Sequence, residues 1–148
     1  MVSSPPGRVP PDPPELTVFY DGGCPLCTKE IAFYERCSGA DRIRWVDVSL
    51  ATEPDVAEGL SRDQAIRRFH VQHPDGQVTS GGRAFAELWA ALPGLAMIGR
   101  VCRRGPLAVA LDIAYQAFLP FRPWLQRIAR RRGRAAMTKM CEQRNRLP

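Results

Sequence analysis

Two cysteines three positions apart, Cys24 and Cys27 in the stretch "YDGGCPLCTKE", are the residues whose type and spacing point most directly to chemistry. Pro25 suits the first position of a helix, where a missing N–H costs nothing, so Cys24 is expected at the N-cap. Cys27 then falls one turn later on the same face, and the two sulfurs can meet. A helix N-terminus concentrates unpaired N–H groups and partial positive charge, which favours a thiolate there. Thiols in such motifs ionise well below the free value of about 8.5. A thiolate attacks a disulfide sulfur, and the neighbouring thiol resolves the mixed disulfide. On this reading Cys24, expected to be the more exposed sulfur, is the nucleophile and Cys27 the resolving thiol. The sulfur pair carries two electrons itself and calls for no cofactor. Asp21 ends the preceding strand. Its charge opposes a thiolate, so its candidate roles are to accept the Cys27 proton during resolution or to cap the Asp-Gly turn.

The same thiols could instead be plain buried side chains, since cysteine often behaves as a small hydrophobe. They could also be half of a zinc site, which would need two more ligands. His70 and His73 are the nominees. On a strand, residues three apart point to opposite faces, so a strand histidine and a turn histidine is the expected outcome. Cys37 is expected in the core. Cys102 and Cys141 sit among basic residues that would lower the pKa of an exposed thiol.

The elements that must position the pair are readable in order. "LTVFY" is a short buried strand, the segment from Pro25 towards Cys37 a helix ending near Gly39, and "RIRWVDVS" a second strand. Together they make a βαβ unit, whose strands should be parallel. "ATEPDVAEGL" reads as loop and short helix, and "SRDQ" as a capping box with Ser61 as cap. "IRRFHVQ" and "QVTSG" flank an Asp75-Gly76 turn as a hairpin. From Gly81, the residues Phe85, Leu88, Trp89 and Leu92 recur with helical period and predict a core-facing helix. Arg83, at its start, could hold an anion. The body is therefore β-α-β-(α)-β-β-α, an α/β mixed sheet with flanking helices. Residues 1–14 form a Pro-rich tail expected to be disordered or extended, 15–94 the α/β domain, and 95–148 a basic helical extension.

Charge divides the 148-residue chain in the same place. Met1 to Gly99 holds 9 Lys/Arg against 13 Asp/Glu, whereas Arg100 to Pro148 holds 12 against 2. Five cysteines are an odd number for a disulfide framework, and the first residues lack the apolar run of a secretory signal. A reducing, cytoplasmic setting is expected. The run "RIARRRGR" is expected to be a solvated helix face; beside Phe118, Leu119, Phe121, Trp124 and Leu125, the best of the sharper readings is peripheral contact with an anionic membrane. The run lacks interleaved aromatics, and nucleic acid is not an expected partner. The competing class is a non-catalytic binding module, with structural or zinc-bound cysteines and the basic tail as its working surface.

"YDGGCPLC" resembles the D-G-x-C-x-x-C signature of the DCC family of thiol-disulfide oxidoreductases, and "FHVQHPDGQVTSGGRAFAELW" resembles that family's strand–turn–strand, glycine and helix. The resemblance implies a thioredoxin-like fold, thiol-disulfide exchange through Cys24 and Cys27 with Asp21 beside them, and a protein or small-molecule thiol or disulfide as substrate. Cys-Pro-x-Cys is also similar to glutaredoxins. One departure stands out. Thioredoxins and glutaredoxins place a cis-proline before the third strand, facing the cysteines, and the matching stretch "DQAIRRFHV" has none.

Overall fold

The structure, a computed structural model, describes residues 12–128 and residue 131. Most of the Pro-rich tail, Cys141 and most of the arginine-rich run lie outside the described residues. The chain runs β1 (Leu16–Tyr20), α1 (Pro25–Tyr34), β2 (Ile43–Asp47), β3 (Asp55–Ala57), β4 (Leu60–Ser61), α2 (Arg62–Arg67), β5 (His70–Gln72), β6 (Val78–Ser80), α3 (Gly82–Ala91), α4 (Ala96–Cys102) and α5 (Gly105–Phe118). Residues 122–128 are helical again after a tight turn over Leu119–Phe121.

β1 sits inside a four-stranded sheet ordered β2-β1-β5-β6. It pairs parallel to β2, with Val18 opposite Trp45, and antiparallel to β5, with Val18 opposite Val71. That arrangement follows from the sequence. The βαβ crossover forces the first pair parallel, and the Asp75-Gly76 turn forces β5 and β6 antiparallel. Alternation along β1 feeds two cores. Leu16 and Val18 pack with Ile31 and Tyr34 of α1, Trp45 of β2 and Leu88 of α3. Phe19 faces the other way, onto Val48, Leu60 and Ala65. This is the mixed α/β architecture expected, and it is consistent with a thioredoxin-like fold.

Three local expectations change. Residues 55–61 form a small two-stranded ribbon instead of a short helix. Ile66 and Arg67 belong to α2, not to the hairpin, because the capping box at Ser61 and Gln64 starts a helix that extends over them. Phe85 and Trp89, expected in the core with Leu88, are only half-buried. Their outer surfaces face α5 and the turn after it.

α5 is held hard against α3. The Gly82 N–H donates to the Asp112 carboxylate (3.2 Å), so the anion at this helix start is the chain's own, and Arg83 is exposed beside it. A Cβ at Gly82 would come within 2.7 Å of the Leu111 and Asp112 backbone. Only a bare backbone permits that approach. Gly82→Ala should therefore push α5 outward and lower stability by about 1–3 kcal/mol. Urea denaturation followed by circular dichroism measures this. An unchanged midpoint would mean α5 does not pack as described.

Candidate functional site

The loop from Asp21 to Cys24 places the sulfur pair. Asp47, at the end of β2, accepts hydrogen bonds from the Gly22 N–H (2.9 Å), the Ser49 N–H (2.9 Å) and the Ser49 hydroxyl (2.6 Å). Its carboxylate fills the space a Gly22 side chain would need, which explains the first glycine of the pair. Asp21 caps its own turn, accepting from the Gly23 N–H (3.0 Å), while its carbonyl accepts from the Cys24 N–H (3.2 Å). Cys24 is the N-cap of α1 and Pro25 opens the helix, as the spacing predicts.

Both thiols are free, and the two residues approach to 2.9 Å. The order of exposure is the reverse of the one expected. Cys24 is fully buried, at 0% exposure, and Cys27 is half-buried. The cap and the segment after α5 together cover it: the Cys24 side chain folds back over its own helix to accept the Cys27 N–H (3.3 Å). Gln126, in the helical segment 122–128, also hydrogen-bonds its sulfur. Cys27, one turn on, opens into a cavity of about 630 Å³.

Arg122, from that same segment, completes the site. Its Nη2 donates to the Cys27 sulfur (3.3 Å) and reaches the Asp21 carboxylate (3.5 Å). Its Nη1 donates to the carbonyls of Ile66 (3.1 Å) and Arg67 (3.2 Å) at the end of α2. The guanidinium thus links the helical extension, α2, the Asp21 turn and the sulfur pair. Nothing in residue type marked Arg122 among twelve basic residues in the C-terminal third. The signal available was position: it lies just after Phe121, outside the arginine run.

The electrostatics follow. The Cys24 thiol is pushed down to about 5, chiefly by the hydrogen bond from the Cys27 thiol. Burial opposes that shift, and the Cys27 N–H, Gln126 and Arg122 assist it. The Cys27 thiol moves up, because it donates to Cys24 and is itself buried, with Arg122 opposing. Physically the pair holds one negative charge and one proton between two touching sulfurs.

The other candidates lie elsewhere. His70 is buried, its Nδ1 is 2.7 Å from the Arg68 carbonyl, and burial pulls its pKa down. His73 lies 3.7 Å from Glu87, away from the cysteines. Among the described residues no three His, Cys, Asp or Glu side chains gather as a metal site. Cys37, expected in the core, is half-buried at its edge in the turn after α1, with its thiol 3.6 Å from the Phe33 carbonyl, and Cys102 is half-buried at the end of α4. Of the apolar residues expected to meet a membrane, Phe118, Leu119 and Leu125 line the cavity instead, while Phe121 and Trp124 are exposed. No single described helix is long and apolar enough to cross a membrane.

The family model of the DCC1-like thiol-disulfide oxidoreductases matches residues 18–128, well over half of the chain. The chain belongs to that family. The match spans β1, the cysteine pair and Arg122 alike. An uncharacterized chloroplastic protein of Arabidopsis thaliana is 28% identical over 110 residues. Those residues are 73% of this chain and 51% of that protein, so the chain spans about half the length of this relative. No solved structure gives a significant match. The family's description points to a redox role.

The charge arrangement predicts a pH profile. With Cys37, Cys102 and Cys141 replaced by serine, alkylation of the pair by iodoacetamide should rise through about pH 5 and level off by neutrality. Below that point both sulfurs are protonated and slow; above it one thiolate is present. An ordinary cysteine would still be rising towards about 8.5. Arg122→Met should move the midpoint upward, slowing the reaction at pH 6 about twofold for a rise of one unit and about tenfold for a rise of two. A profile centred near 8.5 in the unsubstituted pair would refute the shared-thiolate description.

Proposed function

We propose that the chain catalyses dithiol–disulfide exchange, with Cys27 attacking and Cys24 resolving. The observation that carries this is a pair of unbonded sulfurs in contact, only one of which opens to a cavity. The resting charge favours Cys24, but a substrate reaches Cys27 first. The proton has only to cross between adjacent sulfurs for the charge to stand on Cys27, where Arg122 receives it. A minor form that is accessible can carry the flux of a major form that is not.

The steps balance as follows. The Cys27 thiolate bonds to one sulfur of a substrate disulfide, and the substrate S–S bond breaks. The leaving thiolate takes a proton. The Cys24 thiolate then attacks the Cys27 sulfur, forming the Cys24–Cys27 disulfide and releasing the second substrate thiol. The substrate gains two electrons from the pair and two protons, one that Cys24 gives up to the first leaving thiolate and one from solvent. A dithiol donor reverses the change in the protein. Asp21 acts through Arg122, holding the guanidinium against the pair, and its turn carbonyl fixes the Cys24 backbone.

The roles separate in a trapping experiment. Full-length protein with Cys37, Cys102 and Cys141 as serine is mixed with a disulfide-bonded model peptide. Cys24→Ser should accumulate a mixed disulfide at Cys27, detected by mass spectrometry. Cys27→Ser should accumulate none, and both should lose turnover by at least about a hundredfold. Trapping in Cys27→Ser alone would return the attack to Cys24. Retention of turnover in both variants would remove the exchange reading altogether.

A further inference from the structure

The cavity beside Cys27 is not needed to hold two sulfurs together. Its volume of about 630 Å³ falls in the range of about 300–1,000 Å³ typical of small-molecule sites. Leu26, Phe69, Phe85, Trp89, Tyr115 and Leu125 are among the residues of its wall. The aromatic part is ordered: Phe69 stacks on Phe85 at 4.1 Å between centroids, and Phe85 meets Trp89 at 6.1 Å and Tyr115 at 5.8 Å. The Trp89 indole N–H donates to the Tyr34 hydroxyl (3.0 Å), which donates to Glu30 (3.1 Å). Several polar groups at this wall are thus satisfied within the protein. Asp21 and Arg122 pair with each other at the cysteine end.

The polypeptide edge facing this space is also occupied. The Phe69 N–H donates to the Tyr115 hydroxyl (2.9 Å), and the Phe69 carbonyl accepts the Gly81 N–H (2.9 Å). The carbonyls of Ile66 and Arg67 are taken by Arg122. A substrate backbone therefore finds little main chain to pair with along residues 66–69; apart from the buried Arg68 Nε, which has no hydrogen-bond partner, what remains to recognise it is mostly apolar surface. We propose that this cavity seats the apolar body of the disulfide substrate, an aromatic or branched aliphatic group carried close to the sulfur that Cys27 attacks. The inference rests on the exchange reading and adds the class of substrate to it. Such a group could belong to a small disulfide or to a side chain next to a peptide cystine.

The test fills the cavity from α5. Ala114 lines it and is exposed, so a larger side chain can be placed there without entering the protein core. Ala110, exposed one turn earlier and outside the lining, is the control. Turnover with dithiothreitol as donor is measured for two cystine peptides, one flanked by Phe and one by Ser. A second arm uses 4,4′-dithiodipyridine against bis(2-hydroxyethyl) disulfide. The readout is the apolar-to-polar ratio of kcat/KM within each arm, in each variant. Ala114→Trp should lower that ratio by roughly tenfold, whereas Ala110→Trp should not move it. A drop in the peptide arm alone identifies a side chain as the occupant. A drop in the small-molecule arm alone identifies a free disulfide. Ratios unmoved in both arms overturn the proposal.

Binding without chemistry separates the two failures. In the Cys24→Ser/Cys27→Ser chain, 1-anilinonaphthalene-8-sulfonate should fluoresce on binding, and adding Ala114→Trp should weaken its apparent Kd by roughly tenfold. Absence of turnover with this binding intact would sink the exchange reading and leave an apolar ligand site. Turnover with no cavity-dependent binding would sink the substrate class alone.

Discussion

A negative sulfur out of water is expensive unless a positive group reaches it, and that requirement organises the molecule around Arg122. The guanidinium is planar and presents several donors at fixed angles, which lets one side chain serve a sulfur, a carboxylate and two carbonyls at once. A lysine in its place could not hold α2 and the thiol together. The partners are far apart in sequence, 95 residues in the case of Cys27. Hence the pair is fully equipped only when the helices beyond Leu95 are docked, and the close approach of α5 to Gly82 is part of the site as much as of the fold.

The absence of proline before β5 has a structural counterpart. In the thioredoxin arrangement a proline there leaves a backbone edge facing the cysteines. Here the position is filled by Phe69, whose N–H and carbonyl are both taken internally, by Tyr115 and by Gly81. The added helices therefore cover the edge and supply a cavity wall in its place. On the proposed substrate class, recognition moves from directional main-chain hydrogen bonds to apolar contact, which is less directional and depends on area and shape.

Much of the frame was legible in the residues. The β-branched run at Leu16–Tyr20, Pro25 behind a capping cysteine, the Ser61–Gln64 box and the Asp75-Gly76 turn are local signals, and each element they announce is present. What was not legible depended on tertiary contact. The ribbon at residues 55–61 has two short strands with no run long enough to show a period. The burial of Cys24 depends on where residues 122–128 come to lie, and the choice of Arg122 from a basic segment depends on the same docking. Phe85 and Trp89 show the limit of periodicity: it found the helical face that turns inward but not that part of this face borders a cavity.

The N-cap role explains why accessibility and acidity fall on different sulfurs. A capping side chain must curl towards the first turn to accept an N–H, and in doing so it turns away from solvent. The cap assists the low Cys24 pKa, whose chief cause is the hydrogen bond from the Cys27 thiol, while the burial that comes with it opposes the shift. Cys27, the third residue of the helix proper, has no such duty and borders the cavity that α5 and its continuation also line. Because the two sulfurs touch, the low pKa is a property of the pair, and the exposed member can draw on a charge that the buried member keeps available at neutral pH. On the proposed exchange, storage and delivery are then separate tasks, with Arg122 touching the delivering atom.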